Sequence, residues 1–273
     1  KIRQHSVSVL SPGLIEPHFD KKNIRDRSAL IGIIKRDLAR LHYSGEKAAC
    51  LLPEPCLKVF VFSFESLPLA EKEKNQLFLW RVKKQVPLLA EDVRLAYQVM
   101  NGQGTVKVLV CVARVTLLEE YEEVLAAAGI KVGVITTPTL SLLNLVDWEK
   151  EKDFLLVHAE TNSTALVAVN DSRVSLFRVK PNPVEEGLFS SEGSKVEAIM
   201  TEIENTIHFL EDREQRKLSS LWLHASSAEF QALLQPELRE RLPFPVKPFD
   251  LPFPSGLSPS ERARLVPLWG QIL

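Results

Sequence analysis

The residues with the means to do chemistry lie in two short polar runs, each ending an apolar segment. The first is Leu155-Leu-Val-His158-Ala-Glu160-Thr161-Asn-Ser163-Thr164, and the second is Leu221-Trp-Leu-His-Ala225-Ser226-Ser227. An imidazole, a carboxylate and a hydroxyl at His158, Glu160 and Ser163 raise the question of a hydrolase. Their spacing argues against it. They alternate along one short segment, with no sharp strand-to-helix turn to lift a nucleophile toward its base. The plainer expectation is that His158 and Glu160 are polar residues on a solvated turn after a buried strand.

Other candidates carry less. Cys50, Cys56 and Cys111 contain no Cys-x-x-Cys pair, and the six histidines are scattered. A thiolate metal site is therefore not expected. The cysteines read as small apolar fillers of strands in a reducing compartment. Trp80, Arg81, Lys83 and Lys84 form a basic-aromatic group, but Glu71, Glu73, Glu91 and Asp92 surround it in sequence. That mixture predicts a solvated amphipathic helix, with Trp80 packed on its own module, rather than a nucleic-acid surface. The 34 basic and 35 acidic residues leave a formal net charge of −1, so no global field draws nucleic acid or anionic lipid. No run approaches the roughly 18 apolar residues of a membrane helix, and no signal peptide is visible.

The elements that must position these residues follow from periodicity. Residues 5–10 alternate like a strand. Asp26 or Ser28 can cap a helix bearing Leu30, Ile33, Ile34, Leu38 and Leu41, and Lys47–Leu52 reads as a strand. Residues 57–115 give a βαββ pattern: a strand to Phe64, a helix over 71–86 stopped by Pro87, and strands over 94–100 and 105–114. In that first strand Lys58, Phe60 and Phe62 alternate with Val59, Val61 and Ser63, so it has two faces. Thr116 and Glu119 suggest a capping box, and Gly129 a helix C-cap. A strand over 131–135 and an apolar helix over 138–146 complete the first half.

The second half predicts strands over 154–158, 164–169 and 173–179, then a loop from Pro181 to Gly193. A helix over 195–211 is strongly periodic, with Val196, Ile199, Met200, Ile203, Ile207 and Leu210 on one face. A strand over 220–224, helices over 228–234 and 236–242, a strand over 245–249 and a helix from Pro259 to about Ile272 follow. Trp222 is expected in the core, and Leu268 and Trp269 on a helix docked on the second lobe. Three meandering strands followed by helix, strand and helix make a mixed sheet covered by helices.

Several segments together resemble PilM, an actin-like component of type IV pilus assembly, and more loosely the cytoplasmic part of the type II secretion platform protein. They are Ser11-Pro-Gly-Leu-Ile-Glu-Pro17 with Asn23-Ile-Arg-Asp26; Ala48-Ala-Cys-Leu-Leu-Pro53; and Phe64-Glu-Ser-Leu-Pro68 with Leu79-Trp-Arg-Val-Lys-Lys-Gln-Val-Pro87 and Glu91-Asp-Val-Arg-Leu-Ala-Tyr-Gln-Val99. The order of elements from Phe154 to Leu273 completes the likeness. The resemblance implies an α/β, actin-like (ribonuclease H-like) two-lobed core with an inserted βαββ module. It places the first lobe at 1–56 and 115–150, the module at 57–114 and the second lobe at 151–273. It also implies a cytoplasmic protein, peripheral to the inner membrane face. Such a protein would bind the short cytoplasmic tail of a PilN-like inner-membrane partner in a groove between core and module, one face of which Val59, Val61 and Ser63 could border. Membrane association would come only through the partner. Self-association is compatible with this picture, and no nucleic-acid partner is implied.

The resemblance also bears on ATP and magnesium. Actin-like proteins hold ATP with two hairpins, each starting with a metal-orienting Asp, and a Gly-rich adenosine turn. The first hairpin would precede Lys1, so a segment before it is expected. In the second, His158 stands in place of the Asp and Glu160 in place of a Gly, followed by Thr161, Ser163 and Thr164. In the adenosine turn Ala225, Ser226 and Ser227 replace glycines. A carboxylate beside a γ-phosphate is repelled by roughly 1–4 kcal/mol at about 4 Å, depending on solvation. Side chains also crowd the approach that Gly permits. The expectation is a non-catalytic scaffold, a pseudo-ATPase with no cofactor and no metal. A divergent ATP-binding ATPase of the same machinery is the alternative.

Overall fold

The computed structural model describes residues 4–43, 45, 47–102, 104–182, 192–215 and 217–271. The chain divides into two compact units, Lys1–Pro138 and Thr139–Leu273.

In the first unit α1 (Arg27–Arg40) leads to β1 (Lys47–Leu51), and the Asp26 side chain caps the helix by accepting from the Ala29 N–H at 2.9 Å. A single 3-10 turn at Glu54–Cys56 opens the module: β2 (Lys58–Phe64), α2 (Glu71–Gln85), β3 (Val93–Met100) and β4 (Val106–Arg114). These strands form an antiparallel sheet in the order β2-β4-β3. Alternation sends Phe60, Phe62 and Phe64 against α2, where Phe78 and Val82 are fully buried among them. The two-faced character of β2 is thus realised. The chain then runs through α3 (Val115–Ala127) to β5 (Lys131–Thr136), which pairs in parallel with β1.

Three local expectations change here. Residues 5–10 form no strand. The chain makes an isolated bridge between Ile15 and Ile24 and packs Leu14 and Ile24 into the α1–α3 core. No capping box forms at Thr116, because β4 runs directly into α3 with Arg114 as N-cap. The Thr116 hydroxyl instead donates to Asp92 at 3.0 Å. Trp80 is 51% exposed, with the Lys84 ammonium 3.9 Å above its ring, because Phe78 and Val82 already fill the inner face of α2. Gly129 does take φ +94°, the left-handed C-cap that its type favours.

The second unit has β6 (Phe154–Ala159), β7 (Ser163–Asn170), β8 (Arg173–Pro181), α5 (Glu192–Glu214), β9 (Ser220–Ala225), α6 (Ala228–Arg241), β10 (Val246–Pro248) and α7 (Pro259–Trp269), preceded by the short α4 (Pro138–Leu143). Its five strands are ordered β10-β9-β6-β7-β8. β6, β9 and β10 are parallel, and β6–β7–β8 meander antiparallel. Leu155, Val157, Leu221 and Leu223 face α5, whose Val196, Ile199, Met200, Ile203, Ile207 and Leu210 are all buried against them. Burial of each such side chain stabilises by about 1.5–3 kcal/mol.

Residues 139–150, expected with the first lobe, belong to the second unit. The Ser141 hydroxyl donates to Pro267 O at 2.5 Å and the Asn144 amide to Gly270 O at 2.9 Å. Two helices were expected around Pro236, yet α6 is continuous. Burial of Leu234 before the proline and Leu238 after it holds the helix through the lost hydrogen bond. Trp222 is only partly covered, against Phe249, whereas Trp269 is buried and Leu268 is 41% exposed. The loop expected from Pro181 lies outside the described residues from 183 to 191.

Candidate functional site

The first candidate site is the C-terminal end of β6 and β9. Parallel register places His158 directly beside His224 and Ala159 beside Ala225. The even positions of β6 and β9 turn away from α5, so both imidazoles lie on the α7 side of the sheet. Their Nδ1 atoms are 2.8 Å apart. His224 Nε2 is 2.8 Å from the carbonyl oxygen of Ala263 on α7, and His158 Nε2 is 3.1 Å from Glu160 Oε1. His158 has only 1% of its side chain exposed and Glu160 has 28%, so the chain of groups opens to water at its glutamate end. Burial, then the neighbouring His158 ring, push the His224 imidazole down to about 3, against the Ala263 carbonyl. The expectation that His158 sits on a solvated turn is corrected. Strand β6 extends to Ala159 and carries the ring inside.

The remaining polar groups of this site are turned inward. The Glu160 N–H donates to Ser163 O at 2.8 Å and closes the β6–β7 turn. Asn182 staples that turn: its side-chain amide donates to Glu160 O at 2.7 Å, and its backbone N–H to Asn162 O at 2.8 Å. Thr164 donates its hydroxyl to Asn182 Oδ1 at 2.7 Å. Ser163 and Thr164 are buried, while Thr161 is exposed. At the end of β9, Ala225 is buried and Ser226 N–H donates to Ala159 O at 2.9 Å. Ser227 caps α6, its hydroxyl accepting from Phe230 N–H at 3.0 Å. A phosphate site at a hairpin or helix N-terminus needs backbone N–H groups aimed at the anion. Here Glu160 and Ser226 spend theirs on carbonyls, Ser227 fills the helix end with its own oxygen, and the one projecting charge is a carboxylate. These residues do not fit a nucleotide phosphate. The buried imidazole does not fit an outer-sphere position on magnesium. Among the described residues no cluster of His, Cys, Asp or Glu is placed to hold a metal ion.

His224, Asn182 and Ala263 were not singled out from sequence. A signal for His224 was present. Leu155-Leu-Val-His-Ala159 and Leu221-Trp-Leu-His-Ala225 are near-repeats, and adjacent parallel strands bring such repeats into register.

The second candidate is a groove of about 210 Å³ within the first unit. Leu57, Ala96, Cys111 and Ala113 of the module form one wall, and Leu118, Val132 and Ile135 of α3 and β5 the other. Arg94 and Glu122 also line it, with 3.7 Å between their charged atoms. Val134, half-exposed on β5, borders it too. Among the described residues, β3 and β5 each pair with one strand only, so the groove lies beside two open strand edges. Burial pushes the Cys111 thiol up to about 12, so it contributes apolar surface here rather than a nucleophile. Val59 is paired with Cys111 and shares its sheet face. Val61 and Ser63 line a separate hollow with Phe62, Arg81, Lys84 and Gln85.

No protein-family model matches the chain, and no curated protein matches it by sequence. Solved structures do match. The PilM–PilN type IV pilus biogenesis complex aligns at a TM-score of 0.74 and 17% identity, covering 96% of this chain and 88% of that chain. The cytoplasmic domain of EpsL, an inner membrane component of the type II secretion system of Vibrio cholerae, aligns at 0.50 and 12% identity, covering 92% of this chain and 81% of that one. Among the described residues no helix is long and apolar enough to cross a membrane. The chain has the actin-like α/β fold of the PilM type, with a βαββ module inserted in its first half.

Proposed function

We propose that this chain is a non-catalytic actin-like scaffold of type IV pilus or type II secretion-like assembly. Its role is to hold the short cytoplasmic tail of a PilN-like inner-membrane protein, and it meets the inner membrane only through that partner. The observation that carries the reading is the apolar groove between the module and the α3–β5 core, on a fold whose solved counterpart is a PilM–PilN complex. A short extended peptide suits such a groove. It can pair its backbone with an open strand edge and place alternate side chains on Leu57, Ala96 and Cys111. The neutral lining favours apolar side chains, and the Arg94–Glu122 pair offers one polar contact of each sign. The non-catalytic half of the proposal is supported by the buried imidazole at 158 and by the Glu160 and Ser226 N–H groups, which are spent on carbonyls rather than aimed at an anion.

Peptides from the tail of the cognate PilN-like protein should bind this chain in calorimetry, and Ala96→Trp, on the exposed side of β3, should weaken binding at least tenfold. No binding at high micromolar peptide overturns the scaffold reading. Titration with Mg-ATP should give no heat at the same concentrations, and submicromolar binding would overturn the cofactor-free reading in favour of the divergent ATP-binding alternative.

A further inference from the structure

The buried groups at the end of β6 and β9 form one line: Glu160, His158, His224 and the Ala263 carbonyl. Both ends are acceptors, since a carbonyl and an ionised carboxylate have no hydrogen to give. Three hydrogen bonds strung between two acceptor ends require three hydrogens. Two neutral imidazoles carry two. The count does not depend on tautomer: whichever ring donates across the 2.8 Å link, the line is one hydrogen short. We propose that the folded chain takes up one extra proton here, shared between His158 and Glu160, and that its release as pH rises breaks the line at its Glu160 end and destabilises the folded unit.

The target of the line supports a stabilising role. Ala263 lies four residues before Pro267, which has no N–H, so its carbonyl lacks the usual i+4 donor of a helix. His224 supplies the missing donor. The wet end supports reversibility, because Glu160 connects the buried rings to solvent. Other charges around the line are engaged elsewhere. On α7, Glu261 accepts from the N–H of the N-cap Ser258, Arg262 donates to Leu257 O, and the Arg264 charge acts on Glu229. On β8, Lys180 pairs with Glu202. The β7 residue opposite His158 is Ala165, and Phe249, followed by Asp250, lies edge-on to His224. Glu160 is thus the carboxylate in contact with the pair.

Release of the proton leaves one link with two acceptors facing each other, which costs the desolvation of an unpaired buried group. An unfolded imidazole holds its proton only below about 6.5. Between that pH and the point at which the folded line lets go, the folded state binds one more proton, and stability falls as pH rises.

The test is Glu160→Gln in the full chain. A glutamine amide donates to His158 Nε2, so all three hydrogen bonds form with neutral rings. The wild-type unfolding constant should rise with pH above about 6.5, up to tenfold per unit, the limit for one proton. The variant should lack that component while remaining folded. Nitrogen-15 spectra of the histidine rings give a readout that stability does not. At pH 6 His224 should carry hydrogen on Nε2 and bare Nδ1, and His158 should show Nδ1 protonated with Nε2 protonated or shared. A variant with undiminished pH dependence, or a wild-type His158 with bare Nε2 at pH 6, overturns the proposal.

Discussion

Each unit carries the same run of elements around a parallel strand pair: α1–β1–α3–β5 in the first and α5–β9–α6–β10 in the second. They differ in what joins the first strand to the next helix. Between Ala225 and Ala228 the second unit uses two residues, Ser226 and Ser227. At the equivalent place between β1 and α3 the first unit inserts the entire βαββ module. The carboxyl end of a parallel strand is where open α/β sheets build their sites. One unit closes that position with a cap and a histidine pair, and the other opens it into a groove. The strands follow the same division. β9 is buried except at Trp222, supported by β6 on one side and β10 on the other, while β1 alternates and pairs only with β5 among the described residues.

The largest effect should come from breaking the module alone. Phe78→Ala removes a fully buried ring packed on Tyr97 and Phe64, and should cost about 3–5 kcal/mol. Hydrogen exchange should then show β2–β4 unprotected and groove binding lost, with β6–β9 protection intact. Loss of protection in both units would mean that the module is not a separate insert. His224→Phe tests the closed position. It leaves the Ala263 carbonyl and His158 Nδ1 without partners, about 1–3 kcal/mol for each buried group. Denaturant unfolding should record the loss, and exchange should place it on α7.

Helix caps sharpen the comparison at smaller scale. Ser227→Ala and Asp26→Ala each remove a side-chain acceptor at a helix start and should each cost about 1 kcal/mol in denaturant midpoints. Equal costs would show that Ser227 serves only as a cap. The smallest effect concerns acid. The Arg114 guanidinium and then the Thr116 hydroxyl hold the Asp92 carboxyl below its ordinary range. Its contribution is therefore complete above about pH 4, and is lost as pH falls through the lower folded value. Asp92→Asn should remove that component of acid sensitivity, read as a flatter pH dependence of module unfolding.

The sequence carried most of the fold because period and burial agree in it. The six apolar positions of α5 and the alternation of β2 could be read directly, and both are buried as their spacing required. Features that depend on a distant partner were not legible. Nothing near Thr116 in sequence says that Asp92 takes its hydroxyl, and nothing near residues 5–10 says that no strand will lie beside them. The candidate site divided in the same way. Replacement of Asp and Gly by His158 and Glu160 was plain in the sequence. The burial of His158 was not, because its partner is His224, 66 residues away across a parallel register.

The carbonyl of Ala263 ties α7 to the sheet through His224. A helix with proline at its ninth residue cannot complete its own ladder, and its missing donor arrives from a strand 39 residues earlier. Residues 259–269 are therefore not an autonomous helix. Cut out as a peptide, or transplanted onto another sheet without a histidine at the right height, they should fray in the middle. The continuity of this helix through Pro267 is supported from β9.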